Sequence, residues 1–341
     1  MACGLRNAIT DVPGIAVGNA EDAAVCTGVT VVLPDAPAVA SVDVRGGGTG
    51  TREIELLDPA GTIERVDAIV LSGGSAFGLD AAGGVMSWLA AQGRGFGVGD
   101  AVVPIVPCAI LFDLMCGGDK SAFRNATGDG LPYRGLARQA AAGAGLDFHL
   151  GNAGAGFGAT AGRLKGGLGT ASEVTDDNMT VGAIAAVNAR GSAVIPGSAA
   201  FWAWPFEQDG EFGSIAPPAT APADLAADLG DNVGAPMGAS TTLAVVATDA
   251  VLTKTQAKRV AVMAQSGFAR ALRPVHTPFD GDVVFALSTG QRALNDPFVD
   301  VAKLGAAAAD CVARAIARGV YEAQSMGPLK AYRDVFGTAN G

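Results

Sequence analysis

Five segments of the chain are almost continuously apolar: 29–33, 66–71, 180–187, 243–247 and 283–287. A strand wetted on one face alternates apolar and polar residues. An unbroken apolar run is the pattern of a strand covered on both faces. Three other segments repeat apolar residues every three or four positions, as helices do. One spans 79–91. The second starts at Gln256 and puts Ala257, Val260, Ala261, Ala264 and Phe268 on one face. The third follows Pro297 and aligns Val301, Leu304, Ala308, Cys311, Val312 and Ile316. Strands and helices mix without strict alternation. The pattern predicts a layered α/β arrangement, helices outside and sheets inside.

The chain has 341 residues, 49% of them apolar, enough for a large core in one large domain or two ordinary ones. Glycine, at 49 residues, is about twice its usual ~7%. Clusters such as Gly46-Gly47-Gly48 and Gly73-Gly74 point to tight turns. The net charge of −10 with no basic run argues against nucleic-acid partners and anionic membranes. The five cysteines are scattered, odd in number and without a C-x-x-C pair. That argues against a disulfide framework or a zinc site and fits a reducing cytoplasm. The first residues carry no signal-peptide core. The longest apolar run, 101–115, is broken by Pro104, Pro107 and Asp113 and is too short to span a bilayer. No internal repeat is evident. The Pro-, Ala- and Asp-rich stretch 215–232 reads as a flexible linker.

Candidate chemistry is sparse. Of the two histidines, His149 and His276, the latter is the main candidate for a Ser-His-Asp triad. The run 73–78 looks like a nucleophile elbow around Ser75, but Phe77 stands where G-x-S-x-G needs its second glycine. It reads better as a strand-to-helix turn, which could bind an anion through Gly74 and its neighbours. Ser240, Thr241 and Thr242 stand together at the entry to the apolar run 243–247. As turn chemistry this is ordinary. Functionally, one of these hydroxyls could attack the peptide carbonyl before it and cut the chain. The new N-terminal residue would then carry a free amine beside its own hydroxyl and need no histidine. Asp280-Gly281-Asp282, before the run 283–287, is either a polar turn or a carboxylate pair that orients such a nucleophile.

The ordered blocks at 9–18, 27–32, 43–47, 71–79, 103–107, 112–113, 154–156, 165–169 and 241–248, with the strand ending at Asn188 and the segment 276–282, resemble the DmpA-like L-aminopeptidase/D-esterase family. That family includes β-peptidyl aminopeptidases and endo-type nylon-oligomer hydrolases. The resemblance covers nearly the whole chain. It implies an α/β (α+β) fold, a four-layer αββα sandwich also found in ornithine acetyltransferases. It implies a single domain that cleaves itself between Ser240 and Thr241 into an α chain 1–240 and a β chain 241–341, with Thr241 as nucleophile. Asn188 falls at the oxyanion-stabilising position, and Asp280 and Asp282 match the acidic pair of the nylon-oligomer enzymes. Lys165 is assigned to the family's catalytic lysine, with Arg163 at the aligned position in another alignment. Gly74 and Phe77 fall in the substrate-binding turn.

Two residues depart from the family pattern. Phe77 stands where relatives often have a tyrosine, and Ser240 precedes the cleavage point where relatives carry Asn or Gly. The expected function is hydrolysis of short peptides, β-peptides or 6-aminohexanoate oligomers through an acyl-enzyme on Thr241. The alternatives are an acyltransferase of the ornithine acetyltransferase type and an unprocessed, non-catalytic homologue. No cofactor or metal is implied. A tetramer of αβ units in the cytoplasm is the assembly the resemblance suggests.

Overall fold

The computed structural model describes residues 2–124, 130–220, 222 and 240–337. Its first strands are β1 (Ile15–Asp22), β2 (Thr27–Pro34), β3 (Ala38–Val44), β4 (Gly50–Arg52), β5 (Arg65–Val66), β6 (Ile69–Ser72), β7 (Phe96–Val98) and β8 (Ala101–Val103). They are followed by β9 (Cys108–Ile110), β10 (Thr160–Ala161), β11 (Leu164–Lys165), β12 (Gly167–Val174), β13 (Thr180–Asn188), β14 (Thr241–Ala250) and β15 (Val283–Arg292). The helices are α1 (Ala81–Ala90), α2 (Ser121–Arg124), α3 (Tyr133–Ala142), α4 (Lys254–Ala264), α5 (Ser266–Ala271), α6 (Pro297–Tyr321) and α7 (Tyr332–Phe336).

Two sheets dominate. One has the order β1-β2-β6-β9-β4 and the other β12-β13-β14-β15-β3-β5. Three apolar cores separate four layers. Between the sheets, Val17, Val32, Leu71 and Ala109 meet Ile184, Leu243, Val245 and Phe285. Outside the six-stranded sheet, Ala244, Val246 and Ala286 pack with Val260, Phe268, Leu304, Val312 and Ile316 of α4, α5 and α6. Outside the five-stranded sheet, Val29, Val31 and Val70 pack with Val85, Leu89, Leu136 and Ala140 of α1 and α3. Alternate residues of β14 therefore enter different cores, and this is why its run is apolar throughout. The layering is the expected αββα sandwich.

The apolar run 66–71 is not one strand. Val66 pairs with Ala38 in one sheet, while Ile69 pairs with Val32 in the other. Between them lies the buried Asp67, whose carboxylate accepts from the Ile105 N–H at 2.8 Å while its own N–H donates to the Ile105 carbonyl. These bonds hold the crossing from one sheet to the other. The helical pattern 79–91 begins as a 3₁₀ turn, Ser75–Asp80, before α1. The pattern from Gln256 breaks at Gln265, whose side chain donates to the Asp43 carbonyl at 2.9 Å. Helix α4 is capped by the Thr253 hydroxyl, which accepts the Gln256 N–H. Helix α6 is capped by Asp296, which accepts from Phe298 and Val299.

Residues 215–220 of the expected linker have no regular structure, and 223–232 lie outside the described residues. All five cysteines are free thiols. Among the described residues, no helix is long and apolar enough to cross a membrane.

Candidate active site

The sheet topology brings four strand ends together. Strand β14 runs antiparallel to β13, so the end of β13 lies beside the start of β14 and Asn188 pairs with Thr241. Strand β15 runs parallel to β14, so both start on the same edge, and Asp280 and Asp282 sit just before β15. The end of β3, antiparallel to β15, arrives there too. Its continuation wraps the acidic turn: Arg45 and Gly46 donate their N–H groups to the Asp282 carbonyl, and Gly48 donates to the Asp280 carbonyl at 2.8 Å.

Thr241 is 1% exposed. Its hydroxyl donates to the Ser240 carbonyl oxygen at 2.6 Å. The same oxygen accepts the Gly281 N–H at 2.9 Å, and the Ser240 N–H donates to the Phe279 carbonyl. Gly281 has to be glycine here. A Cβ would fall 2.6 Å from the Thr241 Oγ1 and 2.8 Å from the Gly48 carbonyl oxygen. The peptide before Thr241 is thus gripped on both sides, with a hydroxyl and a backbone donor at one carbonyl.

Both carboxylates are buried and fully engaged. Asp282 Oδ1 accepts the Thr242 N–H at 2.8 Å, and Oδ2 meets His276 Nδ1 at 2.8 Å. Asp280 Oδ1 accepts the Arg190 N–H at 3.2 Å. Its Oδ2 accepts from the Thr277 N–H at 2.8 Å and the Thr277 hydroxyl at 2.6 Å. Burial, and then the Asp282 charge beside it, push the Asp280 carboxyl above the usual range. The acidic pair therefore locks the loops around Thr241 and does not bond its hydroxyl. His276 pairs with Asp282 and with no serine hydroxyl among the described residues, so the triad reading finds no support.

The Asn188 side chain accepts from the Thr160 N–H at 2.9 Å and donates to the Phe112 carbonyl at 2.9 Å. An amide nitrogen has two hydrogens, so one donor is left. Thr160 pairs with Lys165 in the small β10–β11 ribbon. The fully buried Lys165 amine donates to the Gly156 and Gly166 carbonyls at 3.1 and 2.8 Å. Burial lowers its pKa to about 8. Arg163 is exposed at the turn of that ribbon. Of the two basic candidates, Lys165 is the one linked to Asn188.

The turn 73–78 is anchored from below. Asp113 accepts the Gly74 N–H at 2.8 Å and the Thr27 hydroxyl at 2.6 Å, and burial raises its pKa. Gly74 has φ +88, and a Cβ there would lie 2.0 Å from the Tyr133 hydroxyl oxygen. Gly74 is buried, so its glycine is required by the backbone. Phe77 is 40% exposed and edge-stacked on Phe123, with centroids 5.4 Å apart. This turn reaches the site through consecutive residues: Ser75 donates to the Leu111 carbonyl, and the next carbonyl, Phe112, receives Asn188. Sequence reasoning missed the Gly281 N–H, Arg190 and Asp113. Backbone donors leave no side-chain signal, and the two side chains become relevant only through pairings across the chain.

The class of protein that carries this four-layer sandwich and this site is shown by comparison with known proteins. The chain belongs to peptidase family S58, whose model matches residues 7–332. An uncharacterized aminopeptidase of Mycobacterium bovis is 44% identical over 98% of this chain and 99% of its own. A 6-aminohexanoate-oligomer endohydrolase of Kocuria sp. is 26% identical over 82% of this chain and 74% of its own. Among solved structures, a Burkholderia sp. beta-aminopeptidase matches with a TM-score of 0.69 and 24% identity, covering 96% of this chain and 89% of that one. The L-aminopeptidase D-Ala-esterase/amidase from Ochrobactrum anthropi, a variant of the Ntn hydrolase fold, gives 0.69 and 22% identity over the same shares. The protein is a peptidase or amide hydrolase of this family, and its substrate is a peptide or an amide.

Proposed function

We propose that the chain cleaves itself before Thr241 and then hydrolyses short amides through an acyl-enzyme on that residue. The observation that carries this reading is the Thr241 hydroxyl lying 2.6 Å from the Ser240 carbonyl oxygen while Gly281 donates to the same oxygen. In the first step Thr241 Oγ1 attacks the Ser240 carbonyl carbon. The developing oxyanion keeps the Gly281 N–H as its donor. The C–N bond breaks as the hydroxyl proton passes to the departing Thr241 nitrogen, the acyl group passes to oxygen, and water hydrolyses the ester, its hydroxyl going to the Ser240 carbonyl carbon and its proton to Thr241 Oγ1. The products are a Ser240 carboxylate and a free Thr241 amine.

That amine, with an intrinsic pKa near ~7.7–8.0, serves as the local base for the mature enzyme. Asn188 contributes its remaining amide hydrogen to the substrate oxyanion, together with the backbone N–H of Gly281. Asp280 and Asp282 hold Thr242 and the 276–282 loop rigid, and Lys165 is a second proton carrier close to neutral pH. Phe77, in place of a tyrosine, offers an apolar wall and no hydroxyl. The β chain stays docked because β14 pairs with β13 and β15 with β3 inside one sheet, and the buried Arg314 adds bonds to Glu211, Asn7 and the Ser172 carbonyl of the α chain. The aminopeptidase and endohydrolase relatives point to short peptides and ω-amino acid oligomers as substrates.

Intact-mass spectrometry of freshly purified, denatured protein is the test. Two fragments meeting at 240/241 and turnover of an aminoacyl or 6-aminohexanoyl amide are expected. One uncut 33.8 kDa species that still hydrolyses amides would defeat the proposal.

A further inference from the structure

Arg190 lies two residues beyond Asn188, at the same sheet edge as Thr241, and is 5% exposed. Its backbone N–H is used by Asp280. Its guanidinium stacks over the Phe279 ring, 5.3 Å from the centroid, and its buried Nε has no hydrogen-bond partner. Among the described residues, no carboxylate or carbonyl accepts from this side chain. The nearby carboxylates are already taken, Asp280 by Arg190 N and Thr277, and Asp282 by Thr242 and His276. A buried guanidinium N–H without an acceptor is unfavourable, and the cation–π contact offsets only part of that. Its planar fork suits one ligand group best, a carboxylate bound through two parallel hydrogen bonds.

The position of the stack fixes which part of a substrate reaches it. The Phe279 carbonyl accepts the Ser240 N–H, so Phe279 and Arg190 flank the Ser240 side of the scissile peptide. On the reading that Thr241 is the nucleophile, the acyl group of a substrate takes the place Ser240 holds before cleavage. We propose that Arg190 recognises a carboxylate on the acyl part of the substrate, so that the preferred acyl groups are acidic, such as glutamyl, aspartyl or the mono-acyl of a dicarboxylic acid. Amides of neutral acyl groups are then poorer substrates of this chain, and amides of cationic ones such as 6-aminohexanoyl poorer still, which narrows the substrate range proposed above toward short acidic peptides.

The test compares glutamyl and glutaminyl p-nitroanilides, which differ in charge and hardly in size. Wild-type enzyme is expected to show at least tenfold higher kcat/KM for the glutamyl compound at low salt. Arg190→Gln is expected to abolish that ratio, and Arg190→Lys to recover only part of it. Equal rates on both compounds in the wild type, or an unchanged ratio in Arg190→Gln, overturn the proposal. Calorimetry with glutaramate against glutaramide makes the same comparison without turnover. Discrimination there that is lost in Arg190→Gln upholds the Arg190 site even if every anilide resists hydrolysis, a result that would count against the nucleophile reading alone. Failure of the wild type to tell glutaramate from glutaramide counts against Arg190. That is also the result expected if the Ser240 carboxylate made by cleavage occupies the guanidinium.

Discussion

Asp282 ties the start of β14 to the loop before β15: its carboxylate holds the Thr242 N–H on one oxygen and the His276 ring on the other, each at 2.8 Å. The residue next to Thr241 is thereby fixed by a buried carboxylate. Asp282→Asn keeps the size and one acceptor but loses the charge. Self-cleavage followed by denaturing gels over time should slow by at least about tenfold, since charge-assisted bonds are roughly twice as strong as neutral ones. Asp282→Ala leaves a buried N–H unpaired and should lower stability to urea by about 1–3 kcal/mol. Cleavage at the wild-type rate in both variants would show that Asp282 is merely structural.

Thr241→Ala should give one intact species and no amide hydrolysis, a loss on the order of 10³-fold or more as for other covalent nucleophiles. Thr241→Ser should still cleave. Intact mass and an anilide assay read both, and fragments from the alanine variant would contradict the assignment.

Gly281→Ala introduces a Cβ 2.6 Å from the Thr241 Oγ1. The clash displaces either the hydroxyl or the 280–282 turn that carries the donor to the Ser240 carbonyl. Uncut precursor should accumulate, with stability lowered by about 1–3 kcal/mol, typical of overpacking. Normal processing of this variant would mean that the Gly281 N–H has no part in cleavage.

The Lys165 amine has its pKa lowered to about 8 from an ordinary 10.5 because it is buried. In the pH window between these values the unfolded chain binds more protons than the folded one, so stability rises with pH. At neutral pH the full penalty for the buried charge is present, at most about 3 kcal/mol for this difference. The buried thiols of Cys108, Cys116 and Cys311, held above their ordinary value, lower stability as pH rises in the wild type and in Lys165→Met alike, so the Lys165 effect is read as the difference between the two. Lys165→Met should be more stable than the wild type at pH 7, and that advantage in urea midpoint should shrink between pH 8 and 10. An advantage that is absent at pH 7, or that stays constant from pH 8 to 10, would refute the buried ammonium.

Arg314 and Glu211 form a buried ion pair between Nε and Oε1 at 2.5 Å, with neither side chain more than 6% exposed. Arg314→Met leaves Glu211 with Arg318 at 3.6 Å and the Asn7 amide at 2.6 Å, and should destabilise the protein by about 1–3 kcal/mol. In cleaved protein the two fragments should separate at lower urea than in the wild type, as read by gel filtration. Co-elution up to the wild-type midpoint would show that the pair does not hold them together.

Much of the architecture was legible because burial writes itself into the sequence. The runs at 180–187, 243–247 and 283–287 are apolar on both alternations, since each strand faces one core on either side, and that is a local signal. The same runs could not say that β13 opposes β14 while β15 parallels it. Nor could 66–71 show that its two halves serve different sheets, because Asp67 turns the chain through bonds to Ile105, distant in sequence. The family likeness singled out Thr241, Asn188, Asp280 and Asp282 as residues. The fold alone decided that the first two stand opposite each other, that the carboxylates brace the loops and leave the hydroxyl alone, and that Gly281 and Arg190 lie at the same sheet edge. Periodicity records which side chains are hidden from water. Which hidden groups meet depends on strand direction and register, and these are set by contacts between segments scores of residues apart.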